Sequence, residues 1–553
     1  AILLASLLSF GPGLGNGFVY DDPELVVDNT SLPALLAGVP GLDSKPRSHL
    51  LDLLTCDYSA LGRVGAPPPE ARPLGNFRPV IVLSYVADAW FWSAISRWPA
   101  GPPLLPAQLR FERLNPVGFH LTNLFFHSLN ALLVFVIARS LTRRFAPALA
   151  AGLFHAVHPV HTESVCWIAG RTDVIAAAFF LAAFWLHLRA RRRGGRAGRV
   201  SAGLAWLLFA AAVLAKEAAL VLPGMLLVIE LVRAPARGAG RGSAVRSTLP
   251  FFLIAAVYLA GRAALLAGRG DDSFLEAGTL ASLPTSTLAA TFLRASAWYL
   301  GKCLWPFPFH PFPDIAFVSL GEVLHWAPSL LLHAALLVLA VGLCRARRAP
   351  LVALAILGFY VSLAPLSSLV PGARLARFTE DQAFPVAERF LYLPSVMVVL
   401  GLAWLVARWA RGRTGRRLAL AAVALLTAGT AAANVGRTAI YRDNLSFFRA
   451  AVAAAPRSVR MNARLGAQHL ARFEPEAALL RHQYAHHLQV HLPCPPVQMG
   501  LAAAARWLER PELYPQAADA LRRALELDPK HLRAGVKLEA VLKRMAPSGK
   551  ESR

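Results

Sequence analysis

Apolar runs of about 15 to 20 residues, broken by short arginine tracts, set the limits on what this chain can fold into. They cover residues 118–137, 174–188, 328–343, 351–369 and 418–433 among others. A helix rises about 1.5 Å per residue, so each run crosses, or nearly crosses, a hydrocarbon core of about 30 Å. Charged residues make up only 16% of the chain and hydrophobic ones 56%. A soluble protein carries about 25% charged residues. The composition and the runs together predict an all-α, polytopic membrane bundle.

The net charge is +25, mostly arginine. A nucleic-acid-binding chain gathers its basic residues on one soluble face. Here they sit between apolar runs, at 143–144, 189–199, 233–246, 345–348 and 408–417. That is the positive-inside pattern, and it excludes nucleic acid as a partner. Placing these tracts in the cytoplasm sets the topology. Residues 1–10 read as the remainder of a first span whose start is missing. A long outer loop follows at about 15–117. Spans are then expected near 118–137, 147–157, 174–188, 202–214, 218–232 and 249–265. A second outer loop, about 266–322, leads to spans near 326–343, 350–369, 391–406 and 418–433. This makes about eleven spans, the third of them short for a bilayer.

Two domains are expected: a transmembrane domain over 1–440 and a helical tail over 441–553. The tail has two segments that each end helix-Pro-helix, closing at Pro456 and Pro529. Leu465-Gly466 follows the first at the spacing of a tetratricopeptide helix. Two to three degenerate repeats fit, the unit around 491–496 departing from the pattern; a plain helical hairpin is the simpler reading. The five cysteines (56, 166, 303, 344 and 494) are scattered, with neither metal spacing nor a disulfide framework.

With this topology the polar strings collect on the outer side. Asp21-Asp22 stands at the exit of the first span. His155, His158, His161 and Glu163 form one string, followed by Arg171 and Asp173. Lys216-Glu217 occupies an outer turn. Trp305 opens an aromatic, proline-rich string, and Glu388-Arg389 with Tyr392 starts the tenth span. Ionisable residues beside spans are functional candidates by default. Each string also has a structural reading. Asp21-Asp22 fits an interfacial turn or a helix cap before Pro23. His158, His161 and Glu163 fit a hydrogen-bonded cluster, or loosely a zinc site. Lys216-Glu217 and Glu388-Arg389 fit ion pairs, and the Trp305 string fits an interfacial belt. No cofactor is firmly implied, no metal ligand is assigned, and a divalent ion is without support.

These parts suit glycosyl transfer from a lipid-linked donor. A sugar on a polyprenyl phosphate has a good leaving group that needs cations, and Arg171, Lys216 and Arg389 are the candidates. The acceptor hydroxyl needs a base, which a carboxylate supplies. One base and in-line attack invert the sugar carbon. Asp22, beside the Pro23 turn, is the preferred base, with Asp21 positioning. His158, His161, Glu163, Asp173, Glu217, Glu388, Tyr392 and Arg78 support them.

The order of these strings resembles a known family. It runs from Gly17-Phe-Val-Tyr-Asp-Asp22 through Phe77-Arg78-Pro79 and Leu83-Ser84-Tyr85 to Asn115-Pro116, Phe119-His120, Asn123 and His127. It continues with His158-Pro-Val-His161-Thr-Glu163, Gly170-Arg171-Thr-Asp173, Lys216-Glu217 and Glu388-Arg389-Phe-Leu-Tyr392-Leu-Pro-Ser395. The chain is similar, over nearly its whole length, to the transmembrane and tetratricopeptide repeat-containing proteins, members of the GT-C superfamily of lipid-dependent glycosyltransferases. The resemblance implies transfer of mannose from a polyprenyl-phosphate donor to Ser or Thr of a protein, the acidic motif holding the base and the repeats meeting an acceptor or partner. The tail is shorter than in vertebrate members. The Ala- and Arg-rich composition looks bacterial, which would place the site and repeats on the periplasmic face of an inner membrane with an undecaprenyl-type lipid. Transfer to an envelope glycan or lipid, and a non-catalytic scaffold with a repeat domain, are the alternatives.

Overall fold

A computed structural model describes residues 1–27, 77–95, 115–233, 240–267, 283–309, 311, 313, 315–346, 349–367, 383–384, 386–409, 412–456, 458, 461–462, 464–465, 468, 522 and 539. These are almost wholly helical. The helices are α1 Ile2–Phe10, α2 Pro79–Ile95, α3 Pro116–Thr142, α4 Phe145–Val157, α5 Thr162–Cys166, α6 Arg171–Ala190 and α7 Gly195–Ala215. Then come α8 Leu222–Arg233, α9 Arg241–Ala267, α10 Thr285–Leu304, α11 Val323–Arg345, α12 Pro350–Leu363, α13 Tyr392–Trp409, α14 Gly412–Thr438 and α15 Asn444–Ala454. One two-residue antiparallel pair interrupts the helical pattern: β1 Ile315–Ala316 lies against β2 Ala383–Phe384.

Eight helical segments among the described residues are long and apolar enough to cross a membrane. They coincide with eight of the eleven expected runs. The other three are shorter: α1 has 9 residues, α4 has 13 and α8 has 12. Of about eleven expected spans, eight are full-length candidates among the described residues. Large apolar side chains stand exposed on them, among them Leu331 and Val338 on α11, Val257 on α9 and Leu425 on α14. Apolar surface on this scale suits lipid, not water. The chain is an integral membrane protein with an all-α bundle.

Both long outer loops contain a helix that the sequence reading left out. α2 carries Asp88 in its middle and α10 carries Arg294 and Lys302, and these charges break the apolar runs that would have marked them.

The chain divides into two compact units. The first comprises 1–308, 317–377 and 387–442, and the second 309–316, 378–386 and 443–553. In the first unit α3 packs on α4 and α6, α6 on α7, and α12 on α11 and α13. Close approach of α12 and α13 depends on Gly358: a Cβ there would lie 2.6 Å from Met397 Sδ. In the second unit α15 is capped by Asp443, whose carboxylate accepts from Ser446 N at 2.8 Å. Most of the expected repeat tail, including residues 491–496 and Pro529, lies outside the described residues.

Candidate active site

The site is built where α1 ends and the chain turns back across the bundle. The turn after Gly15 is fastened by Asn16 Nδ2 donating to Thr438 O at 3.0 Å and Gly17 N donating to Arg442 O at 2.9 Å. Tyr20 takes a left-handed backbone (φ 58°), unusual for a bulky residue. This sharp turn separates the two carboxylates that follow. Asp22 goes inward and is fully buried. Its Oδ2 accepts from Val19 N at 3.0 Å and its Oδ1 from Ala169 N at 2.8 Å. Burial pushes its carboxyl up to about 8, against the two backbone hydrogen bonds; Asp21 raises it further and Arg171 opposes. Asp21 stays half-buried.

Residues 158–173 form the opposite wall. Trp167 Nε1 donates to Val19 O at 3.2 Å, and its ring lies 5.8 Å from that of Tyr20. Gly170 lets this wall fold tightly: a Cβ there would lie 2.8 Å from the carbonyl oxygens of Glu163 and Ser164. The Arg389 guanidinium lies over Trp167, 5.3 Å from the ring centroid, and over Phe390, at 4.9 Å. Lys216 Nζ lies 5.7 Å from that same Phe390 ring. The acidic turn, Trp167, Arg389 and Lys216 thus form one contiguous group.

Every cation expected to meet a donor phosphate already has a carboxylate. Arg389 bonds Glu163 through its guanidinium, and its backbone N donates to Glu163 Oε2 at 2.9 Å. Lys216 Nζ lies 2.5 Å from Asp173 Oδ1. Burial lowers the Lys216 ammonium, against the attraction of Asp173. Arg78 grips Glu217 with two bonds, 2.7 and 3.3 Å. Burial pulls Glu217 up, but the Arg78 charge and hydrogen bond, with Arg262, outweigh it and hold Glu217 down to about 2.

Arg171 is the most enclosed of the three expected phosphate ligands, with no exposed side-chain surface. Its Nη2 pairs with Asp88 Oδ2 at 2.7 Å, its Nη1 reaches Ser84 Oγ at 3.3 Å, and its guanidinium lies 4.3 Å from the Tyr85 ring centroid. Asp88 also accepts from Thr122 Oγ1 at 2.7 Å. The sequence reading missed Asp88; a lone acid inside an apolar stretch was the available signal. Two ion pairs therefore fasten α2 to the bundle, Arg78–Glu217 and Asp88–Arg171.

Glu388, next to Arg389 in the chain, pairs with other cations. It is fully buried between Lys302 Nζ at 3.2 Å and Arg437 Nη2 at 2.6 Å. Lys302 and Arg437 were also missed, and each lies near the C-terminal end of an apolar helix. Tyr392 and the histidines form a further buried cluster. Tyr392 OH accepts from Asn130 Nδ2 at 3.0 Å and meets His127 Nδ1 at 2.8 Å. The His155 and His161 rings lie 4.4 Å apart, and His161 lies 4.6 Å from Tyr392. His158 Nε2 meets Cys303 O at 3.0 Å. Burial lowers His158 to about 4 and His161 well below its ordinary range, so both are neutral near pH 7. Among the described residues no three His, Cys, Asp or Glu side chains are placed to hold a metal ion.

Fold and site together define a multi-span helical membrane protein with ion-paired polar residues gathered at one end of its spans. Chains similar to it include proteins named as animal O-mannosyl-transferases. Protein O-mannosyl-transferase Tmtc2 of Drosophila melanogaster is 30% identical over 210 residues, 37% of this chain and 19% of that protein. Protein O-mannosyl-transferase TMTC3 of Homo sapiens is 26% identical over 215 residues, 39% of this chain and 19% of that protein. Protein O-mannosyl-transferase TMTC4 of Homo sapiens is 28% identical over 245 residues, 41% of this chain and 28% of that protein. The matches span between 19% and 28% of these relatives' own length. These three relatives are from fly and human, and they lend nothing to the bacterial assignment suggested by composition. No family model matches the chain, and no solved structure matches it significantly.

Proposed function

We propose that this chain is a GT-C-type membrane glycosyltransferase. It moves a sugar, mannose by analogy with the relatives, from a polyprenyl-phosphate donor to a Ser or Thr hydroxyl of a protein on the outer face. The observation that carries this reading is the grouping of the acidic turn at Asp21-Asp22 with Arg389–Glu163 and Lys216–Asp173 across Trp167 and Phe390.

Burial supports different roles for the two carboxylates. Both oxygens of Asp22 are held by backbone N–H groups and none of it is exposed. It joins the first turn to residue 169 and acts as the positioning carboxylate. Asp21, half-buried on the same turn, is the base. Its carboxylate takes the proton of the acceptor hydroxyl while that oxygen bonds to the sugar carbon. The bond from the sugar carbon to the phosphate oxygen breaks, and the lipid phosphate leaves with the electron pair. Attack opposite to departure inverts the carbon.

Arg389 and Lys216 stabilise the leaving phosphate. An ammonium has three donors, and Asp173 engages Lys216 at one of its oxygens. A guanidinium has five, so Arg389 can serve Glu163 and a phosphate together. Arg171, sealed under Asp88, positions α2 and the turn at Ala169. The repeat tail presents the acceptor. Helical repeats form concave surfaces suited to extended peptide.

The test is transfer in proteoliposomes, supplying polyprenyl-phosphate mannose and a Ser/Thr peptide, with mass spectrometry of the peptide. The reading expects one added hexose with inverted anomeric configuration. Transfer to an envelope glycan or lipid but not to peptide would overturn the acceptor. No transfer from any lipid-phosphate sugar, with partner binding retained, would favour the scaffold reading. Dolichyl and undecaprenyl donors compared side by side would decide the lipid, and with it the case for a periplasmic site.

A further inference from the structure

The two ends of the bundle treat their cations differently. At the end bearing the candidate site, Arg78, Arg171, Lys216, Lys302, Arg389 and Arg437 each lie against a carboxylate. The opposite end has almost no acid to offer. Helix α6 connects the two: it runs 20 residues from Arg171 to Ala190, about 30 Å along the axis and about the thickness of a hydrocarbon core. From residue 174 to 216 the chain contains no Asp or Glu, and the same holds for 131–162 and 390–442.

Three chain segments converge at this far end. Arg192, in the turn between α6 and α7, donates through Nη2 to the carbonyl of Ser140 near the end of α3. Arg144, in the turn between α3 and α4, donates through Nη1 to Ala407 O near the end of α13 at 2.8 Å. Around these two links Arg143, Arg144, Arg193, Arg196, Arg199 and Arg408 are exposed. Among the described residues no carboxylate pairs with any of the six. Glu230 is the buried acid at this end, and it is taken by Arg191 at 3.1 Å and His187 at 3.4 Å.

Apolar residues adjoin the arginines in the chain. Phe145, directly after Arg144, is 62% exposed, and Val200, directly after Arg199, is 55% exposed. Leu204 and Leu207 continue the exposed apolar face along α7. Exposed guanidinium groups beside exposed hydrocarbon match the level at which lipid phosphates sit above their chains.

We infer that the end formed by the α3–α4 turn, the α6–α7 turn and the C-terminus of α13 is a docking surface for the phosphate of anionic glycerophospholipids. The six cations named at the site end are neutralised from within the protein. Those at the far end take their counter-charge from the membrane. This fixes the bundle's depth and orientation, and the surface lies a full helix length from any transfer chemistry.

The experiment is native mass spectrometry of the full chain released from micelles with equal phosphatidylglycerol and phosphatidylcholine. The parent is expected to retain phosphatidylglycerol preferentially. Arg143→Gln, Arg193→Gln and Arg196→Gln together remove three exposed charges that make none of the links described above. Each juxtamembrane charge changes binding by about fivefold, so the triple variant is expected to lose about a hundredfold in preference. Arg449→Gln, an exposed arginine on α15 of the second unit, is the control and is expected to leave the preference unchanged. Equal retention of both lipids by the parent, or an undiminished preference in the triple variant, overturns the inference. Inorganic phosphate displacing the lipid at comparable concentration also overturns it, since the site would then read phosphate and not a lipid surface. Should the triple variant fail to fold, a salt titration of the parent decides: the preference must shrink as salt rises, and a salt-independent preference refutes the inference.

Discussion

Replacing Asp88 by Asn should unfasten α2 from the bundle. Asp88 is 7% exposed, and Arg171, its partner at 2.7 Å, is wholly enclosed between the Tyr85 and Phe119 rings. The substitution keeps the shape and a group that can still meet Thr122. It removes the charge opposite a guanidinium that has no route to water. Breaking a buried pair from one side costs about 3–5 kcal/mol, because the remaining charge stays desolvated. The worth of the pair itself is smaller, so Asp88→Leu combined with Arg171→Met should restore much of that loss. The assay is reversible unfolding in mixed micelles titrated with SDS, run on the parent, Asp88→Asn, Asp88→Leu, Arg171→Met and the double variant. The account expects each single variant to lose about 3–5 kcal/mol and the double variant to fall well short of their sum. Strict additivity, or a loss under about 1 kcal/mol for Asp88→Asn, would refute the role given to this pair.

Other outcomes follow from the same geometry. Burial raises Asp22 from 3.8 to about 8, so between these values the folded chain holds a proton that the unfolded chain releases. Its contribution is fully present below 3.8 and is lost as pH rises toward 8, at about 1.4 kcal/mol per pH unit. Unfolding measured against pH should show this slope in the parent and not in Asp22→Asn. Gly170→Ala should lose about 1–3 kcal/mol, since its Cβ would press on two backbone carbonyls and the wall must open. Glu388→Gln should cost about 3–5 kcal/mol by leaving Lys302 and Arg437 buried without their shared anion. Both losses are readable in the same SDS titration.

The spans were legible because a lipid-crossing helix needs a long apolar run, and eight of the expected runs became full-length helices. The helices α2 and α10 were not, because Asp88, Arg294 and Lys302 interrupt their apolar stretches and the interruption is meaningful only once its partner is known. The acidic turn, Arg389 and Lys216 lie together around Trp167 and Phe390, but the pairings of the outer strings were not legible. Arg171 read as an available cation until Asp88, far away in the chain, was seen to cover it. The histidine string was visible as His155, His158 and His161, whereas His127 and Tyr392 join it only through folding. Nor did local sequence separate the two aspartates. Proximity to Pro23 favoured Asp22, whereas the left-handed Tyr20 turns Asp22 inward onto backbone donors and leaves Asp21 half-buried.

The most direct test of the central claim is single-turnover sugar transfer by Asp21→Asn and Asp22→Asn in proteoliposomes, read across pH. The account predicts that Asp21→Asn lowers transfer by about 10²–10⁴-fold at every pH, as expected for loss of a general base. Asp22→Asn should retain transfer above that level. Full activity in Asp21→Asn, with the loss confined to Asp22→Asn, would contradict the assignment of the base, and full activity in both would contradict acid-base chemistry at this turn.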